Sequence, residues 1–126
     1  MAHGWILVID DEQAARESVV ETLNDSGCEA LGASDGAEGR LQLESRADLP
    51  CMIILDLMMP GMNGWQFREW QRSTPRFSSV PVVVISAVVD LDRQMVALGV
   101  AEAISKPVLF GTLFDRVETR CGACRP

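Results

Sequence analysis

The stretch Cys51-Met52-Ile53-Ile54-Leu55-Asp56-Leu57-Met58-Met59-Pro60-Gly61-Met62-Asn63-Gly64 decides the architecture. Its first five residues are apolar without interruption, as in a central strand buried on both faces, and the run stops at a carboxylate. The remainder is too rich in Pro and Gly for a regular element. Working outward, four more short apolar runs occupy residues 5–9, 28–33, 80–85 and 101–105.

Amphipathic stretches separate these runs. Residues 12–26 place Ala15, Val19 and Leu23 at helical spacing, with Gly27 as a stop. Asp35 can cap a helix reaching residue 47 that turns Ala37 and Leu41 inward. Residues 65–73 form a third helix with Phe67 and Trp70 three apart, closed before Pro75. Leu91, Met95 and Leu98 line one face of a helix over 90–98 that ends at Gly99, and Leu109, Leu113 and Val117 line a last helix over 108–120. Strict alternation of five strands and five helices predicts an α/β fold. The expected form is a doubly wound five-stranded parallel sheet of order 2-1-3-4-5, flavodoxin-like (βα)5.

A chain of 126 residues is the size of one domain and long enough to bury a core without staples. Hydrophobic residues at 48% exclude disorder for most of it. The nearly apolar segment 80–89 contains Pro81 and Ser86 and falls short of the roughly 18 residues that cross a bilayer, so no membrane insertion is expected. A start of Met-Ala-His-Gly-Trp offers no secretory signal, which makes a cytoplasmic location the expectation. The formal charge of −7 argues against direct nucleic-acid binding. In a reducing cytosol the four cysteines should remain thiols. Cys28 and Cys51 then read as small core residues, Cys121 and Cys124 as part of a frayed tail, and His3 as a disordered terminal residue. Domain organisation is accordingly one unit over residues 1–120 with a tail at 121–126.

Every residue of unusual chemistry falls at a strand C-terminus: Asp10 and Asp11 after the first, Asp56 after the third, Ser86 after the fourth, Lys106 after the fifth. In this topology the site lies beyond those ends, at the switch point between strands one and three. Three gathered carboxylates repel one another and raise one another's pKa unless a cation sits among them. Oxygen ligands in a hydrated cleft suit a hard divalent ion, Mg²⁺ with Mn²⁺ as its substitute. Lys106, the one lysine among the 11 basic residues, can face the cluster as an ammonium, and Ser86 can donate to the same oxygens. The chemistry implied is phosphoryl transfer to an aspartate.

These residues resemble the receiver domain of two-component response regulators. The resemblance runs over nearly the whole chain through Asp10-Asp11, the 56–64 run, Ser86-Ala87 and Lys106-Pro107, in order and at strand ends. It implies that Asp56 is the phosphoacceptor and that Asp11, Asp56 and the backbone carbonyl of Met58 bind Mg²⁺, with Asp10 acting through water. It also implies that Ser86 and Lys106 contact the phosphoryl group. The implied donor is a histidine kinase, a histidine phosphotransfer protein or a small acyl phosphate, and the output is a contact with a downstream protein. Such a domain is a signalling module and not an enzyme, assisting only its own phosphorylation and dephosphorylation. One position departs from the pattern: three residues before the lysine the family has Tyr or Phe, and here stands Ala103.

Blander readings compete residue by residue. Asp10 and Asp11 could simply serve the first helix N-terminus, Asp56 could be a turn residue, and Ser86 a strand end. Met58, Met59 and Met62 read as loop packing, and Trp65 and Trp70 as core or partly buried. Competing functions are a haloacid dehalogenase-type phosphatase, which needs a second Asp where Met58 stands, and an FMN binder, whose phosphate Asp10-Asp11-Glu12 would repel. A pseudo-receiver, acting as a phosphorylation-independent interaction module, is the remaining alternative.

Overall fold

The computed structural model describes residues 4–100 and 102–122. Five strands alternate with five helices: β1 (Ile6–Ile9), α1 (Gln13–Asp25), β2 (Ala30–Ala33), α2 (Gly36–Glu44), β3 (Met52–Asp56), α3 (Gly64–Ser73), β4 (Val82–Ser86), α4 (Leu91–Leu98), β5 (Glu102–Ser105) and α5 (Phe110–Cys121). All pairings are parallel and the order is β2-β1-β3-β4-β5, as the alternation predicts.

Strand periodicity divides the core into two layers. Leu7, Ile9, Ile53, Leu55 and Val84 point toward α2, α3 and α4, where Leu43, Phe67, Leu91 and Leu98 meet them. Ile6, Val8, Ile54, Val83 and Ile85 point the other way, onto Val19 and Leu23 of α1 and Leu113 and Val117 of α5. β1, β3 and β4 are buried at every position, which explains their uninterrupted apolar sequence.

The inward face of α2 differs from the expected one. Leu41 is 65% exposed and Ala37 is exposed, while Gly36, Gly39 and Leu43 are buried. A Cβ on Gly39 would stand 2.5 Å from Ile9 Cδ1, so the missing side chain lets α2 lie close against β1. Asp35 does cap this helix, accepting from the Glu38 amide at 2.8 Å. Leu109, expected inward, is the exposed N-cap of α5.

The cysteines also depart from expectation. Cys51, just before β3, and Cys121, the last residue of α5, form a disulfide with Cα atoms 5.3 Å apart. Because α5 runs antiparallel to the strands, its C-terminal end returns to the edge of the sheet where β3 begins, a juxtaposition that 70 residues of separation conceal. Cys121 is 8% exposed and helical, so it is no part of a frayed tail. Cys28 is buried as expected but is not a thiol either, and no cysteine is free among the described residues. The readings for His3 and Cys124 lie outside those residues, as does Ala101 at the start of the expected fifth strand.

Candidate functional site

Parallel pairing brings the C-terminal ends of β1, β3, β4 and β5 to one edge of the sheet. In register, Asp56 pairs with Ile85 and Ser86 with Ser105, while the Lys106 amide donates to the Ser86 carbonyl at 2.9 Å. Asp10, Asp56 and Ser86 are buried there, and Asp11 is exposed beside them. One carboxylate oxygen from each of Asp10, Asp11 and Asp56 lies within 4.8 Å of the others.

Lys106 Nζ reaches across the cluster, donating to Asp10 Oδ2 at 3.1 Å and to Asp56 Oδ2 at 3.2 Å. The other oxygen of Asp10 accepts from the Glu12 amide at 3.0 Å, so Asp10 also organises the entry to α1, whose N-cap Glu12 makes no side-chain cap of its own. Both the blander reading and the site geometry therefore apply to this one residue. Asp56 Oδ1 faces the Met58 amide at 3.4 Å, and the Met58 side chain is 60% exposed. Ser86 Oγ accepts from the Val88 amide at 3.2 Å.

The loop after Asp56 is held by α3. Gly64 donates to the Leu57 carbonyl at 3.0 Å, and a Cβ there would sit 2.5 Å from the Asp56 carbonyl oxygen, so the helix can start this close to the site only at a glycine. Asn63 and Gln66 close a capping box on the same turn. The Gly-rich sequence after Asp56 thus turns the chain without leaving the site.

Electrostatics follow from burial. Desolvation first, and the charge of Asp10 second, push the Asp56 pKa up to about 6 against the pull of Lys106. For Lys106 desolvation pulls downward, but the hydrogen bonds and charges of Asp10 and Asp56 outweigh it and leave the ammonium pKa raised. Three carboxylates against one ammonium leave two negative charges, and an all-oxygen donor set of this size fits a hard divalent cation.

A cavity of about 490 Å³ opens beside the cluster between α1 and α5, lined by Asp10, Glu12, Lys106, Pro107, Val108 and Phe110 among others. Sequence reasoning missed Arg16, whose Nη1 donates to the Asp10 carbonyl at 2.9 Å. Its place one turn into α1 was the available signal. Ala103, in the middle of β5 and half-buried, packs against the layer under α2, α3 and α4.

The model of the response regulator receiver domain matches residues 6–118. Among curated relatives, the transcriptional regulatory protein HprR of Escherichia coli is 34% identical over 91% of this chain, which covers 50% of HprR. The sensor histidine kinase CheAY of Helicobacter pylori is 33% identical over 81% of this chain and 13% of its own length. The chain thus spans half of the one relative and a small part of the other. Among solved structures, a response regulator receiver protein from Pseudomonas putida superposes with a TM-score of 0.85 at 29% identity, covering 94% of this chain and 98% of that one. The phosphorylated cyanobacterial phytochrome response regulator RcpA gives 0.76 at 28% identity, covering 94% and 91%. Sheet order, the acidic cluster with its lysine and the family match over residues 6–118 agree, and the chain belongs to the receiver domains of response regulators.

Proposed function

We propose that this receiver domain is phosphorylated on Asp56 by a histidine kinase or a histidine phosphotransfer protein. The single observation that carries the reading is Lys106 Nζ bridging the buried Asp10 and Asp56 at 3.1 and 3.2 Å. A capping or turn role for these acids requires no such bridge. In the step, an Asp56 oxygen forms a bond to phosphorus as the phosphorus–nitrogen bond of a phosphohistidine breaks, its electron pair returning to the imidazole. Lys106 exchanges its contact with the Asp56 carboxylate for one with a phosphoryl oxygen, and Ser86 Oγ donates to a second.

Asp11, Asp56 and the Met58 carbonyl would hold Mg²⁺, or Mn²⁺, with Asp10 acting through water. When bound, the ion supplies positive charge against the phosphoryl oxygens and the attacking carboxylate. Asp56 must be ionised to attack, and its raised pKa of about 6 leaves most of it ionised at pH 7. Among the described residues no helix is long and apolar enough to cross a membrane. Output then passes through a protein contact. The relative HprR, half of which this chain spans, is a transcriptional regulatory protein.

Intact mass after incubation with acetyl phosphate and Mg²⁺ tests the proposal. The expected result is one phosphoryl adduct, lost in Asp56→Ala and in EDTA. No adduct on a folded protein that binds Mg²⁺ would favour the phosphorylation-independent interaction module, a reading that Ala103 at the family's aromatic position specifically supports.

A further inference from the structure

Away from the acidic edge, α3 and α4 flank a second, open cavity of about 460 Å³, lined by Trp65, Arg68, Glu69, Arg72, Ala97 and Leu98 among others. Its polar lining includes two arginines one helical turn apart on α3, with Glu69 between them in sequence. Arg68 is 9% exposed and donates to the Leu98 carbonyl at 3.0 Å, to Gln71 Oε1 at 2.7 Å and to the Gly99 carbonyl at 2.9 Å. Arg72, at the rim, donates from Nη1 to the same Leu98 carbonyl at 3.2 Å. Its guanidinium lies close to Gly99, where a Cβ would be 3.3 Å from Cζ.

These contacts cap the C-terminus of α4, and Gly99 takes the left-handed conformation (φ 68°) that ends the helix there. Arg68 alone satisfies the Leu98 and Gly99 carbonyls. A helix C-terminus offers about half a negative charge, whereas two guanidiniums bring two positive ones. No carboxylate lies within ion-pair distance of either among the described residues, although five other basic residues form salt bridges. Burial first and the charge of Arg72 second hold the Arg68 pKa below its usual value. In a chain of net charge −7 this is a pair of positive charges with no ion-pair partner among the described residues. It has spare donors on Arg72 and an apolar wall of Trp65, Ala97 and Leu98.

We infer that the α3–α4 cavity binds a small organic anion, its oxyanion head held by Arg72 over Arg68 and its apolar body against Trp65 and Leu98. Planar guanidinium forks suit carboxylate and phosphate heads alike, and the volume suits a ligand larger than a bare ion. Glu69 lines the same cavity and sets a preference against higher charge.

The test uses the full chain in EDTA, so that the acidic cluster repels anions and contributes nothing. Inorganic phosphate, phenyl phosphate and benzoate are titrated while the Trp65 indole N–H, which donates to Gln94 Oε1 at 2.7 Å, and the amides of residues 97–99 are followed by NMR. Saturable shifts confined to this cavity are expected, with phenyl phosphate or benzoate at least about tenfold tighter than inorganic phosphate because the apolar body is buried. Comparable phenyl phosphate and benzoate affinities would place the recognition in the shared oxyanion, and a clear difference would identify the head group. Arg72→Gln should weaken binding about tenfold or more, and Glu69→Gln, which keeps both arginines, should strengthen it. Should Arg72→Gln fail to fold, Glu69→Gln decides alone. Non-saturating shifts, shifts unchanged in both variants, or shifts only at residues 10–12 and 56–58 would overturn the inference.

Discussion

The two edges of one sheet are built on opposite principles. At the C-terminal edge, two buried carboxylates and a third at the surface crowd within 4.8 Å around one ammonium. At the N-terminal edge charge is spread and matched. Arg46 sits 4.5 Å over the ring of fully buried Trp5 and pairs with Glu29 and Asp48 at 3.0 Å each, while the Trp5 indole donates to the Asp48 carbonyl at 3.1 Å. The Cys51–Cys121 disulfide closes the same edge. Strain in this protein is therefore electrostatic and local. One edge holds the fold together so that the other can carry charge that works against folding.

The largest effect expected from breaking this contrast is at the disulfide. Crosslinking residues 70 apart removes unfolded-chain entropy worth about 4 kcal/mol. A Cys51→Ala, Cys121→Ala double variant should lose stability of that order in urea unfolding at pH 7, with the site geometry intact. An unchanged midpoint would show that the N-terminal edge does not need its staple.

At the other edge the sign reverses. Asp56 has its pKa raised from 3.8 to about 6, so the folded protein holds this proton more tightly than the unfolded chain does. Ionising Asp56 therefore costs stability above pH 6, and the cost disappears as pH falls through 6 toward 4. Two units correspond to about 3 kcal/mol. Metal-free Asp56→Asn should be more stable than the parent at pH 7 by up to about that amount, with the advantage vanishing near pH 4. Unfolding free energies at both pH values measure it. An equal difference at both would remove the carboxylate charge as its origin.

The same contrast explains what could be read in advance. β1, β3 and β4 announce themselves because strands buried on both faces must be apolar throughout, and chemistry at strand ends stands out against that background. Helix faces were less legible wherever glycine replaced bulk. In α2 the aliphatic spacing of Ala37 and Leu41 suggested one face, yet Gly39 against Ile9 defines the other, because absence of a side chain permits the closer approach. The disulfide was invisible because it depends on where an antiparallel helix ends in space. Nor can the pair Asp10-Asp11 reveal from sequence that one acid is 1% exposed and the other open to solvent.

That difference within the pair gives the smallest and sharpest prediction. Asp11 is exposed, so water screens its repulsion with Asp10 and Asp56, and Asp11→Asn should raise metal-free stability by less than about 1 kcal/mol. As a proposed direct ligand it should nevertheless weaken Mg²⁺ binding strongly, because ligation depends on oxygen placement and charge and not on depth. Thermal melts with and without Mg²⁺ separate the two quantities in one experiment. A small change in the metal-free melt with loss of the Mg²⁺-induced shift would assign burial as the source of the site's instability and the cluster geometry as the source of its affinity. A variant that melted lower without metal and kept its full Mg²⁺ response would remove Asp11 from the ligand set and leave Asp10 and Asp56, both bound by Lys106, to carry the ion alone.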